Sequence, residues 1–192
     1  MKKNIILVGV GGQGTILAAK VLSQVALNMK MDVKMSEIHG MAQRGGSVVT
    51  QIKIDEKVYS PLIEIGEADD IISFEKLEAQ RYMPLLKPNG SVVYNDQEIS
   101  PMPVVTGKAK YPTDIEQTLL RITPNVRKIP ALKLALELGN IRVMNILLLG
   151  TVAATWTETP IEVWLDALRT VIPPKHLELN AQAFHIGYQY KA

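Results

Sequence analysis

The stretch Ile5-Ile6-Leu7-Val8-Gly9-Val10-Gly11-Gly12-Gln13-Gly14-Thr15 decides how the rest of the chain is read. Four consecutive apolar residues ending in glycines read as a strand buried on both faces, the habit of a parallel sheet. Residues 15–29 then run without Pro or Gly. Their polar members Lys20, Gln24 and Asn28 recur every four positions as one stripe, so the spacing predicts a helix covered on most of its surface. Residues 33–37 supply a second strand. Strand, glycine turn, helix and strand make a βαβ opening.

Outward from this unit, residues 47–54 and 57–63 are β-rich and flank Asp55-Glu56, which predicts a hairpin added to the sheet. Residues 70–74 and 90–95 read as strands around a helix over 75–86, a second βαβ unit punctuated by Pro88-Asn89-Gly90. Residues 96–110 hold Pro101, Pro103 and Gly107 and read as loop with short strands. Thr113-Asp114-Ile115-Glu116 opens a helix reaching Arg121. A strand at 126–129 precedes helices over 131–138, 141–156, 160–171 and 176–188. No repeat or linker interrupts the chain, so one domain over 1–192 is expected. The pattern predicts an α/β fold: a Rossmann-like three-layer α/β/α sandwich, its sheet mostly parallel with an added β-hairpin, and a helical C-terminal third.

Composition narrows the function classes. The 192 residues are 47% apolar and 21% charged, which places the chain among globular proteins rather than disordered ones. Net charge is only +2 with Lys and Arg scattered, so a nucleic-acid partner is not expected. There is no cysteine, which excludes disulfides, thiolate-ligated zinc and any iron–sulfur cluster held by this chain's own sulfurs. The apolar run at 5–10 is short and broken by glycine, unlike a signal peptide. The longest apolar run, 141–156, carries Arg142 and Asn145 and falls short of the ~20 residues of a membrane span. A cytoplasmic protein without a membrane partner is therefore expected. His39 stands far in sequence from His176 and His185, so no metal site is expected either.

Gly9, Gly11 and Gly14 fit G-x-G-x-x-G, and three readings stay open for the loop. Successive N–H groups at a helix N-terminus favour an anion. A dinucleotide site would want an acid at the end of the second strand, and Glu37 is a tolerable candidate. A triphosphate loop would want Lys where Thr15 stands. The third reading is a tight turn packed against a neighbour. A second block, Ser36-Glu37-Ile38-His39-Gly40-Met41-Ala42-Gln43-Arg44-Gly45-Gly46-Ser47, falls at the same sheet edge. There Gln43, Arg44 and the Gly45-Gly46 turn can bind a phosphate or carboxylate. Alternatively Glu37 and Arg44 pair with each other to anchor an interface loop. Gly9, Gly11, Gly12, Gln13, Gly14, Glu37, Gln43, Arg44, Gly45 and Gly46 are thus the candidate ligand residues, and no residue is assigned as a catalytic acid, base or nucleophile. Residues 141–156 make a helix apolar on every side, to be covered by the core or by another subunit.

The opening Ile6–Gly14 resembles the start of the gamma-type subunit or domain of 2-oxoacid:ferredoxin oxidoreductases. The block from Ser36 to Val48 is similar to the version in the beta subunit of the indolepyruvate (arylpyruvate) enzymes. Tyr59-Ser60-Pro61-Leu62-Ile63, Gly66-Glu67-Ala68-Asp69, Pro130-Ala131, Gly139-Asn140, Asn145 and Leu149-Gly150 extend the likeness along nearly the whole chain. The resemblance implies oxidative decarboxylation of a 2-oxoacid with coenzyme A (CoA) as cosubstrate, giving acyl-CoA and reduced ferredoxin. It also implies a large partner subunit carrying thiamine diphosphate, magnesium and 4Fe-4S clusters, with this chain silent alone. The gamma subunit of a pyruvate or 2-oxoisovalerate enzyme and a free-standing Rossmann-type nucleotide-binding protein are the alternatives.

Overall fold

The structure, a computed structural model, describes residues 1–39 and 46–191. In chain order the elements are β1 (Lys3–Val10), α1 (Thr15–Asn28), β2 (Asp32–His39), β3 (Ser47–Asp55), β4 (Ala68–Ser73), α2 (Lys76–Tyr82), β5 (Leu86–Asn95) and α3 (Met102–Val105). There follow α4 (Ile115–Ile122), β6 (Val126–Ile129), α5 (Ala131–Glu137), α6 (Met144–Ala153), α7 (Ile161–Val171) and α8 (Pro174–Gln189). One sheet runs in the order β2-β3-β1-β4-β5-β6. β3 is antiparallel to both its neighbours, while β1, β4, β5 and β6 pair in parallel.

The apolar run in β1 works as its composition demands. Ile5, Ile6, Leu7 and Val8 have no exposed surface. Ile5 and Leu7 join Leu22, Phe74, Leu147 and Phe184 on one side of the sheet. Ile6 and Val8 join Ile71, Ala79, Tyr94 and Leu119 on the other. Helices α1, α5, α6, α7 and α8 cover the first face and α2 and α4 the second, giving three layers. Each such Ile or Leu contributes roughly 1.5–3 kcal/mol by leaving water. All ten residues of α6 are buried within this chain, so its all-round apolar surface is used in the core. The helix is shorter than the run that announced it, because Ile141–Val143 form a single 3-10 turn capped by the Asn140 side chain.

Two expectations need correction. The added hairpin is β2 with β3, not β3 with residues 57–63. Those residues form no strand because side chains take their backbone donors: Val58 N–H goes to Asp32 Oδ2 (2.9 Å) and Ile63 N–H to Gln51 Oε1 (2.7 Å), and just beyond them Glu64 N–H goes to Glu67 Oε2 (3.0 Å). In consequence β3 lies between β1 and β2, and the opening unit does not place its two strands side by side. Residues 96–110 hold the short helix α3 instead of short strands, with Pro103 in its first turn, where its missing N–H costs nothing.

The clasp of residues 57–67 on the sheet is acid-labile by construction. The Val58 N–H and Lys34 hold the Asp32 carboxyl at about 2, below its ordinary value. Glu67 is lowered by the Glu64 N–H and Lys53, and Asp55 by Lys2 and the Glu56 N–H. A depressed carboxyl adds stability above its unfolded pKa and loses it as pH falls through the folded value. Proteolysis within 57–65 is therefore expected to accelerate as pH drops from about 4 towards the Asp32 value of about 2. An acid-stable protease read by mass spectrometry checks this. Asp32→Asn should be cut faster at neutral pH and should flatten the acid dependence.

Candidate functional site

Strands β1, β2, β4, β5 and β6 all end at one edge of the sheet, and α1 and α2 leave that edge towards opposite faces. The crevice between β1 and β4 is therefore the topological switch point, where open α/β sheets take ligands. Here the side chain of Gln13 fills it. Gln13 Oε1 accepts the Val10 N–H (2.7 Å), while Nε2 donates to Phe74 O (3.0 Å) and Gln97 Oε1 (3.1 Å). Asn95, fully buried, donates to Phe74 O (3.1 Å) and Gln97 Oε1 (2.9 Å), completing a network of three amides. A Cβ on Gly9 would stand 2.9 Å from Gln13 Oε1 and 3.0 Å from Phe74 Cβ, so this glycine lets the network close over β1.

The open space lies on the other side of the loop. A cleft of about 370 Å³ is lined by Gly11, Gly12, Gly14, Thr15, Ile16, Glu37 and Val48. Gly12 has φ +98° and Gly14 φ +86°, both in the region that favours glycine. Gly14 caps α1 without a side-chain hydrogen bond, and no acid stands in the first turn. The first N–H groups of that helix thus lack an intrahelical acceptor. Behind the loop, Asn145 Nδ2 donates to Gly14 O (3.2 Å). The Gly11 N–H donates to Gly46 O (2.9 Å), tying the first glycine block to the end of the second. One wall of the cleft is thus donor-rich and electropositive, and Glu37 supplies an acceptor on another.

Of the ten candidate residues, Gly11, Gly12, Gly14 and Glu37 line this cleft and Gly46 adjoins it through Gly11. Gly9 and Gln13 build the plug beside it. Gln43, Arg44 and Gly45 lie outside the described residues. Sequence reasoning missed Asn95, Gln97, Glu75 and Glu78. Glu75 is buried at the end of β4, accepting the Glu78 N–H (2.9 Å), the Ile99 N–H (3.0 Å) and the Tyr111 hydroxyl. Burial, and the bond to Glu75, push the Tyr111 hydroxyl well above its ordinary pKa. Glu78 accepts from Ser47 Oγ (2.5 Å) and Arg81 (2.7 Å), fixing the start of β3. For Glu75, Asn95 and Gln97 the available signal was a polar residue at or just past a strand end; Glu78, in the first turn of α2, lacked even that. A larger cleft, about 540 Å³, opens at the opposite sheet edge. Its buried Asp70 is taken by Lys3 (2.9 Å) and Ser91, and its Asp69 by Lys87, so we place the candidate site at the glycine loop.

The profile of the family described as pyruvate ferredoxin/flavodoxin oxidoreductase matches residues 4–190. The chain belongs to this family. It is 39% identical to the indolepyruvate oxidoreductase subunit IorB of Thermococcus kodakarensis, over 96% of this chain and 93% of that one. It is 27% identical to the pyruvate/ketoisovalerate oxidoreductases common subunit gamma of Pyrococcus furiosus, over 94% and 92%. The solved 2-oxoglutarate:ferredoxin oxidoreductase of Magnetococcus marinus shares the fold, with a TM-score of 0.71 at 18% identity, over 97% of this chain and 30% of that chain. The family expected from the two glycine blocks is the family matched. The chain is similar along nearly its whole length to small subunits of multi-subunit oxidoreductases. Among the described residues no helix is long and apolar enough to cross a membrane.

Proposed function

We propose that this chain is the cluster-free subunit of an indolepyruvate (arylpyruvate):ferredoxin oxidoreductase. It acts with a larger subunit that binds thiamine diphosphate, magnesium and 4Fe-4S clusters. The enzyme converts a 2-oxoacid, CoA and oxidised ferredoxin into acyl-CoA, carbon dioxide and reduced ferredoxin. The observation that carries this reading is the near-complete alignment with IorB at 39%, against 27% for the pyruvate/ketoisovalerate subunit. The residues agree with the division of labour. There is no thiolate for a cluster. Thiolate-ligated iron–sulfur clusters therefore do not fit this chain, and no step is assigned to them or to thiamine diphosphate here.

What this chain supplies is the cleft. First-turn N–H groups of α1 hold a phosphate of CoA, Glu37 accepts from a ligand hydroxyl, and Ile16 and Val48 give an apolar wall. In the second block, Gln43, Arg44, Gly45 and Gly46 have the chemistry to pair with the same anion. A dinucleotide at the switch point would have to displace Gln13, which argues against the free-standing nucleotide-binding alternative.

Anaerobic co-expression with the larger subunit tests the reading. The complex should reduce ferredoxin on indolepyruvate faster than on pyruvate, and the chain alone should not. Gly12→Ala puts a Cβ at a positive φ without a clash; relief of that strain turns loop N–H groups away from the anion, so KM for CoA should rise by about tenfold, the loss of roughly one such hydrogen bond, while kcat stays near wild type. Activity of the chain alone, or tight NAD(P)H binding by it, would overturn the subunit reading. An unchanged KM would remove CoA from the cleft.

A further inference from the structure

β2 is an outer strand of eight residues in regular register with β3 and free of bulges. Among the described residues, no backbone group on its outer side pairs with another backbone group. None of residues 32–38 is buried, and Met35 and Ile38 are 43% and 51% exposed, on opposite faces of the strand. Exposed edges are ordinarily blunted by proline, a bulge or an outward lysine. β2 has no proline or bulge, and its charges are engaged elsewhere: Lys34 pairs with Asp32 (2.9 Å) and Glu37 lines the glycine cleft. From its far end β2 contributes Glu37 to the glycine cleft, opposite the half-exposed Ile16.

We infer that β2 is the docking edge for the larger subunit, which adds an extended segment alongside it and thereby walls the glycine cleft. The inference rests on the subunit reading above. Two observations choose this occupant over a second copy of the chain. A two-fold axis normal to the sheet keeps each residue on its own face, and directly opposed antiparallel residues share a face. No symmetric register pairing at least five residues is then self-complementary. Two of them oppose Lys34 to Lys34 or Glu37 to Glu37; the other two set Val33 or Met35 against Glu37. The M. marinus enzyme holds the same fold as 30% of one long polypeptide, so there this domain's neighbour is further chain of the same enzyme. In the present protein that neighbour is a separate subunit. Main-chain bonds would give the segment its affinity, and apolar residues against Met35 and Ile38 its specificity.

Hydrogen exchange of residues 32–38 in the isolated chain and in the co-expressed complex is the test. The outward amides should slow by at least about tenfold on assembly. Met35→Lys with Ile38→Lys, both exposed, should leave the melting curve of the isolated chain intact and weaken assembly by about 30-fold, the size of an interface hot spot. Unchanged exchange within a formed complex, or wild-type assembly by the double variant, overturns this inference and leaves the subunit reading standing. Dimerisation of the isolated chain through β2 overturns it in favour of a second copy. Failure of any complex to form overturns both.

Discussion

Alanine at Gly187 is expected to lower the melting temperature by about 6–12 °C, the equivalent of about 3 kcal/mol in a chain of this size. The added methyl would stand 2.0 Å from Leu147 O and 2.9 Å from its carbonyl carbon. At Gly150, on the facing helix, it would stand 2.2 Å from Phe184 O and 2.8 Å from the Tyr188 N. All four are main-chain atoms, so no rotamer change relieves the contact, and α6 and α8 would have to part by roughly 1 Å in a close-packed interior. The parting would also stretch the bond from Thr151 Oγ1 to Gly187 O, now 3.1 Å. Since α6 is buried at every position, its displacement disturbs the sheet as well as α8. Gly150→Ala should act in the same direction, and the pair should be less than additive because both open one crossing. Gly139→Ala is the control: φ is +78° but nothing lies within 4 Å, so only about 1 kcal/mol of backbone strain is expected. Thermal melts of the four variants decide the matter, and a Gly187→Ala melt within 2–3 °C of wild type, roughly 1 kcal/mol, would contradict so close an approach.

What could be read in advance follows the range of the forces involved. β1, α1 and the glycine turn were legible because their signals are local: an apolar run, an uninterrupted period of 3.6, and glycines where φ turns positive at Gly12 and Gly14. The burial of α6 was legible as a need for cover, though not what covers it. The hairpin was misplaced because the decision lies in side chains far along the chain. Asp32 captures the Val58 N–H across 26 residues, and nothing near Val58 announces it. The same limit hid the reason for Gly150 and Gly187. Their spacing fits an ordinary helix, and only the crossing shows that a methyl has no room. In the site, Glu37 was found by its place at a strand end, while Asn95 and Gln97 were not, because their partners arrive from other strands.

Gln13 is where this matters most for function, and its replacement should separate a structural glutamine from a ligand-binding one. Its amide spans 61 residues to Phe74 and 84 to Gln97, and it holds the loop that forms the cleft floor. Gln13→Ala leaves the Val10 N–H without that partner, at about 1–3 kcal/mol for an unsatisfied buried group, while Phe74 O keeps the Asn95 amide. Gln13→Glu should be worse at neutral pH. One carboxylate oxygen can still accept the Val10 N–H, but the other faces Phe74 O and Gln97 Oε1, both acceptors. A carboxyl so placed has a raised folded pKa, so the variant binds its proton more tightly folded than unfolded. Its stability deficit should be small below about pH 4, the unfolded value, and should grow as pH rises through the folded one. Denaturant titrations between pH 4 and pH 8, roughly spanning that window, read this directly. In the assembled enzyme both variants should raise KM for CoA more than they lower kcat, because Gln13 shapes the loop without touching the reacting atoms. A flat pH dependence for Gln13→Glu would remove Gln13 from the crevice. A kcat loss at unchanged KM would place the glycine loop in the chemistry itself, and the cleft would have to be reassigned.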